Sequence, residues 1–266
     1  MCGRFALTYS WEEMVDWFNL IPTRLADGSP PPADMPPRYN IAPTQPIMMV
    51  IASELPDTDE GERARQALLV RWGLVPRWVK DPKTFTLLIN ARSETAATKP
   101  SFRAAMAHRR TLIPATGFYE WRRTGKGKDR QSQAFWVRPK DGGVVAFGGL
   151  METWISSDGS EIDTGCILTT DANPTFAGIH NRLPMVVPPG DFDRWLDCKN
   201  ELPADIADLL VPANDDFFEA IPVSDKVNKV ANAGPDIQQP VEDRGPAKPK
   251  KEERDEPGDD GQMSLL

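Results

Sequence analysis

Cys2 is the residue whose type and place suggest the most chemistry. Excision of Met1, which is general before a small second residue, would leave Cys2 with a free α-amine beside its thiol. An α-amine titrates near ~7.7–8.0 and a thiol near ~8.5, so both nucleophiles are partly available at neutral pH. The natural target of such a 1,2-aminothiol is an aldehyde: the amine condenses to an imine and the thiol closes onto it as a five-membered thiazolidine. Two further groups suit the proton transfers this needs. Glu120, in Gly117-Phe118-Tyr119-Glu120-Trp121, is the only acid between Glu94 and Asp129 and sits among aromatics, a setting for general acid or base work. His180, in Ile179-His180-Asn181-Arg182-Leu183-Pro184, joins two apolar runs beside a basic residue, where an imidazole can move protons near physiological pH. The same spacing fits a buried, hydrogen-bonded histidine equally well. His108, at the end of a helical run, suits a capping or phosphate-facing role. The three cysteines, Cys2, Cys166 and Cys198, are widely spaced and odd in number, which argues against a disulfide framework. No metal-ligand spacing is present, and no cofactor is expected.

Charge read by region points to a polyanion. The net charge of -8 would count against one, but residues 1–200 hold 24 basic and 23 acidic side chains, against 7 and 16 in residues 201–266. Residues 65–140 hold 17 basic residues and four acids, Asp81, Glu94, Glu120 and Asp129, a composition that binds phosphate backbones. Trp72, Trp78 and Trp121 are interleaved there with Arg71, Arg77, Arg92, Arg122 and Arg123. Stacking platforms beside cationic groups are how single-stranded nucleic acid is held. Because tryptophan usually serves the core, at least one of these three should be buried. No apolar run approaches the roughly 18 residues of a membrane span, and the first ten residues lack a secretory leader pattern, so a cytoplasmic protein is expected, without membrane contact and nucleoid-associated when bound to DNA.

The elements that must position these groups are mostly strands. Ser10-Trp11-Glu12-Glu13 is a capping-box pattern, and Met14, Val15 and Phe18 continue an apolar helical face from Trp11. Residues 26–37 contain five prolines and must be a loop, and the polar run 53–65 reads as a second. Strand-like runs cover 47–51, 67–72, 111–115, 134–137, 144–150, 166–170 and 185–187. Helical patterns recur at 101–108, 192–197 and 204–210, which makes the domain α+β rather than a regular alternation. From about Gln239 the chain is charged and proline-containing with little to bury, so residues 1–238 are expected as one folded domain and 239–266 as a disordered tail.

Six segments taken together carry a more specific signal: Met1-Cys2-Gly3-Arg4-Phe5, Arg38-Tyr39-Asn40-Ile41-Ala42-Pro43, Trp72-Gly73-Leu74-Val75-Pro76-Arg77-Trp78, Ile89-Asn90-Ala91-Arg92-Ser93-Glu94-Thr95, and the Gly117–Trp121 and Ile179–Pro184 segments above. In order and content the set resembles the SRAP family, the SOS-response-associated peptidases. The resemblance implies a single compact α+β domain on mostly antiparallel, barrel-like sheets with peripheral helices. It also implies covalent crosslinking to abasic sites in single-stranded DNA, including single-strand/double-strand junctions, with some lyase activity through β-elimination from the imine. By motif matching, Cys2 would be the nucleophile, Asn90 would orient the sugar and Cys2, Glu120 would transfer protons, and His180 would assist sugar ring opening and crosslink reversal. Arg4 and Arg92 would contact phosphates, Pro43, Trp78 and Trp121 would pack on nucleotides, and Arg77 would join them from the basic stretch. Val79 stands where some members carry a second aromatic, which would weaken a wedge at a duplex junction. Two rival readings remain at this point, a thiol peptidase that cleaves its own N-terminus and a non-covalent reader of modified or single-stranded DNA. Finally, Gln262-Met263-Ser264-Leu265-Leu266 resembles the short peptide by which bacterial DNA-processing enzymes dock on the replicative sliding clamp.

Overall fold

A computed structural model of the chain describes residues 2–22, 24–32, 35–52, 65–125, 127 and 130–245. Its strands are β1 (Phe5–Leu7), β2 (Arg38–Ile41), β3 (Pro46–Ala52), β4 (Arg65–Trp72), β5 (Asn90–Arg92), β6 (Arg110–Ala115), β7 (Gly117–Thr124), β8 (Gln131–Pro139), β9 (Val145–Ile155), β10 (Glu161–Asp171), β11 (Arg182–Pro184) and β12 (Phe218–Val223). The helices are short: α1 (Trp11–Phe18), α2 (Ser93–Ala96), α3 (Arg103–His108) and α4 (Phe192–Leu196). None of the described helices is long and apolar enough to cross a membrane.

Five strands close on themselves. Around the ring, β10 pairs with β4, β4 with β3, β3 with β6, β6 with β9, and β9 returns to β10; all these pairings are antiparallel except β10 with β4. The interior is filled by side chains such as Met49, Thr111, Ile113, Phe147 and Ile167, all buried. The end of the Met49 side chain lies against the Cβ-free face of Gly165 on β10: a Cβ there would lie 2.1 Å from the Met49 Cε. Against this barrel lies a second, five-stranded sheet in the order β12-β8-β7-β1-β2. The expected α+β domain on barrel-like sheets is what the chain forms.

Local signals act where expected at α1. Ser10 Oγ accepts the Glu13 N–H at 3.2 Å while the Glu13 carboxylate accepts the Ser10 N–H at 2.8 Å, and Trp11, Met14 and Phe18 face inward. Elsewhere the reading of the sequence needs correction. The helix expected at 204–210 is reduced to a single 3-10 turn, Ala207–Leu209, which buries Leu209 and leaves Leu210 half-buried. The strand expected at 185–187 lies earlier, at Arg182–Pro184, where it pairs with β10, and Val186 makes only an isolated bridge to Phe147. Strands β1, β2, β5, β7 and β12 carry no alternation strong enough to be read alone; they exist because a neighbouring strand supplies the ladder. The loop expected at 53–65 lies outside the described residues except for Arg65, which opens β4. Beyond the expected boundary at 238 the chain is still hydrogen-bonded, Val241 N–H to the Pro222 carbonyl and Arg244 to the Ser132 carbonyl, and residues 246–266 lie outside the described range.

Gly117 shows how tightly β7 is held. A Cβ there would lie 2.3 Å from the Val137 carbonyl oxygen and 2.6 Å from the Trp136 ring, so the backbone of β8 would have to move. Gly117→Ala should therefore lower the free energy of unfolding by about 1–3 kcal/mol in a urea titration. Gly190→Ala, where a Cβ meets nothing within 4 Å, should be close to neutral.

Candidate active site

Four of the predicted residues converge between the two sheets. Cys2 precedes β1, which is pinned to β7 by pairing Phe5 with Phe118 and by the Tyr119 N–H donating to the Arg4 carbonyl at 2.9 Å. Glu120 follows on β7 and is only 3% exposed. From the barrel side, Asn90 on β5 donates its Nδ2–H to the Cys2 carbonyl at 2.9 Å. Asn90 therefore holds the backbone of Cys2 and leaves the thiol unengaged by the amide. The Asn90 Oδ1 is buried without a hydrogen-bond partner among the described residues. His180 sits half-buried just before β11, its Nδ1 4.0 Å from Glu120 Oε1.

The thiol itself is fully buried, and burial first, with the Glu120 carboxylate second, pushes its pKa well above the ordinary thiol range. Its Sγ lies 3.7 Å from the Arg4 carbonyl oxygen. The His180 ring is oriented by Arg182, whose backbone N–H lies 3.0 Å and whose carbonyl oxygen lies 3.3 Å from Nδ1. Arg182 is in turn immobilised: its guanidinium binds Glu94 through two hydrogen bonds of 2.7 and 2.9 Å, Asp171 at 2.6 Å, and the Thr169 carbonyl. This buried cation was not singled out from the sequence, because its partners lie on α2 and β10 and no spacing within Ile179–Pro184 announces them. Asn40 was equally silent. Its buried amide donates to the carbonyls of Val227, Lys229 and Asn232 at 3.2, 3.2 and 2.8 Å, tying residues 227–232 to β2.

The residues expected to meet DNA fall into two groups. Trp78 is 59% exposed, Arg92 is exposed with no ion pair among the described residues, and Pro43 is half-exposed. Arg77 is also outward but its Nε donates to Glu152 at 2.7 Å. Arg4 and Trp121 are half-buried and already hydrogen-bonded within the chain. The Arg4 guanidinium donates to Asn40 Oδ1, the Val227 carbonyl and the Asn228 carbonyl at 2.8, 2.8 and 3.1 Å, and the Trp121 Nε1–H donates to Asn228 Oδ1 at 2.9 Å. Trp72 is the tryptophan given to the core: fully buried, edge-on to Phe5, with its Nε1–H on the Ile89 carbonyl. Val79 is also buried, so position 79 does not present its side chain to solvent. His108 is exposed at the end of α3. No cluster of three His, Cys, Asp or Glu that could hold a metal ion occurs among the described residues.

The raised thiol pKa has a measurable sign. The folded state holds the Cys2 proton more tightly than the unfolded chain, so this term stabilises the fold fully below the ordinary thiol range near ~8.5 and is lost as pH rises above it. Alkylation of Cys2 by iodoacetamide, followed by peptide mass spectrometry, should be slow at pH 7 and still accelerating beyond pH ~8.5. A rate that levels off at or below that pH would contradict a buried, proton-holding thiol.

The fold and motifs can be placed among known proteins. A family model described as SOS response associated peptidase (SRAP) matches residues 1–230. The abasic site processing protein YoqW of Bacillus subtilis (strain 168) is 35% identical over 237 residues, covering 89% of this chain and 98% of its own. The abasic site processing protein YedK of Escherichia coli (strain K12) is 32% identical over 246 residues, covering 91% and 100%. Among solved structures, a protein from Bacteroides thetaiotaomicron superposes with a TM-score of 0.73 at 22% identity over 90% of this chain and 100% of that one, a likeness of fold. From its first motif through β12 the match is unbroken, and the chain belongs to the SRAP family.

Proposed function

We propose that this protein processes abasic sites in single-stranded DNA, trapping the lesion's aldehyde on Cys2 after removal of Met1. The observation that carries the reading is the convergence of Cys2, Asn90, Glu120 and His180 between the two sheets, with Asn90 bonded to the Cys2 carbonyl and His180 facing Glu120. Relatives that match nearly their whole length bear the name abasic site processing protein.

The chemistry follows from which group can react first. With the thiol held protonated by burial, the α-amine is the nucleophile that attacks C1′ of the ring-opened deoxyribose, and loss of water gives an imine. His180 assists ring opening, and Glu120 and His180 move the protons of addition and dehydration. The thiol sulfur then adds to the imine carbon while its proton passes to the nitrogen, closing a thiazolidine that joins protein and DNA. Where closure fails, loss of the C2′ proton from the imine leads to β-elimination of the 3′ phosphate, a lyase outcome. Arg92 and Arg77 face the phosphates, Trp78 stacks on a base, and Arg4, Pro43 and Trp121 line the same path, so affinity should fall with salt.

A second contact extends the reading to the tail. Gln262-Met263-Ser264-Leu265-Leu266, outside the described residues, has a glutamine followed two positions on by a small residue and then two leucines, and the charged segment before it would tether the domain near a sliding clamp. Fluorescence anisotropy of a peptide covering 255–266 should show saturable clamp binding that Gln262→Ala with Leu265→Ala removes; no binding at tens of micromolar discards the contact.

Denaturing gels of protein incubated with an abasic oligonucleotide test the covalent step. Cys2→Ala should abolish the stable crosslink. Cys2→Ser should give a band only after borohydride trapping, since serine supplies the amine without a thiol able to close a durable ring. Unchanged crosslinking by Cys2→Ala rules the mechanism out, and DNA binding indifferent to both variants, with no crosslink from the wild type, favours the non-covalent reader. Intact mass of protein made without methionine aminopeptidase activity separates self-cleavage from ordinary Met1 removal.

A further inference from the structure

The turn that carries Arg77 and Trp78 is fastened to the barrel on both sides of its tip. The Val79 N–H donates to the Pro76 carbonyl at 3.0 Å, closing a β-turn whose two central residues are Arg77 and Trp78. Before the tip, the Val75 N–H donates to Thr164 Oγ1 at 2.9 Å. After it, the Val79 carbonyl accepts the Trp154 Nε1–H at 2.6 Å, and Val75, Val79 and Trp154 bury one another in a small apolar cluster apart from the main core. At the tip, Arg77 Nε donates to Glu152 Oε1 at 2.7 Å.

Glu152 and Trp154 are alternate residues of β9 and so stand on the same side of the strand. One grips residue 77 and the other residue 79. The residue between them is Trp78, whose indole projects into solvent with the Phe85 ring perpendicular to it, centroids 5.5 Å apart. The Glu152 side chain is itself buried, and a second guanidinium, Arg109, lies 3.1 Å from the same Oε1.

We propose that Glu152 and Trp154 are positioning residues for Trp78. They hold the turn in its binding conformation, so that the indole meets a nucleobase without first ordering a loop, and the cost of that ordering does not weaken binding. This rests on the reading that Trp78 stacks on single-stranded DNA. Neither residue touches DNA; both act through the backbone of the turn.

The test is a double-mutant cycle on the full chain, with anisotropy of a labelled, undamaged thymidine oligonucleotide as the probe. Trp154→Phe keeps an aromatic, apolar side chain and deletes the N–H to the Val79 carbonyl. Trp78→Ala should weaken binding about tenfold, the range of one lost stacking contact. Trp154→Phe should weaken it by a smaller factor with the slope of log Kd against log salt unchanged, because no phosphate contact is removed. In the Trp78→Ala background the added Trp154→Phe should have no further effect, and Glu152→Gln should lose part of its own. If Trp78→Ala binds like the wild type, the stacking reading fails and this inference with it. If Trp78→Ala weakens binding but Trp154→Phe does not, or Trp154→Phe weakens both backgrounds equally, the positioning role is overturned while the stacking reading stands.

Discussion

Strand β10 is the interaction on which the rest hangs. It is hydrogen-bonded to four other strands: β9 and β4 close the barrel through it, while β5 and β11 run along its far half. Those last two strands deliver the barrel's share of the site, Asn90 at the start of β5 and His180 just before β11. The two residues are thereby fixed relative to each other by one continuous backbone, and Arg182 adds a side-chain lock between α2, β10 and β11. The opposing sheet contributes Cys2 and Glu120 through the β1–β7 pairing. The Asn90 bond to the Cys2 carbonyl spans the two halves, and His180 Nδ1 faces Glu120 Oε1 across them at 4.0 Å.

Composition alone overstates the basic face, for a physical reason. Of the arginines between 65 and 140, several are engaged with their own chain. Arg65 pairs with Asp193, Arg109 with Glu152, Arg122 with Asp243 and Arg138 with Glu219. Arg110 is buried, with its guanidinium donating to the carbonyls of Met106, Trp195, Asp197 and Glu201. A guanidinium's five donors serve carbonyls closing a helix end as readily as they serve phosphate. A count of charges cannot tell the two uses apart; Arg92, which has no such partner among the described residues, is the kind of arginine that the count was meant to find.

The site was legible as a set of segments and illegible as a geometry. Cys2, Asn90, Glu120 and His180 stand out because their residue types have chemistry and their neighbours form recognisable motifs. What brings them together is long-range pairing of short strands, and a three-residue strand such as β5 has too few positions to show alternation. The α1 capping box was readable because both of its partners lie within four residues. Asn40 and Arg182 were not, since their partners are more than eighty residues away or on other strands. The expected helix at 204–210 failed for the converse reason: a helical apolar spacing was present, yet the short segment had no large surface to cover beyond Ile206 and Leu209.

The bond from Asn90 ends on a carbonyl, and every amino acid has one. The protein thus holds position 2 by an atom that does not depend on what the side chain is. What fixes the backbone of position 2 and which side chain stands there are separate. Replacement of Cys2 by another residue of similar size, natural or synthetic, leaves that bond in place, so the chain can serve as a holder into which different reactive groups are loaded and compared at one fixed location.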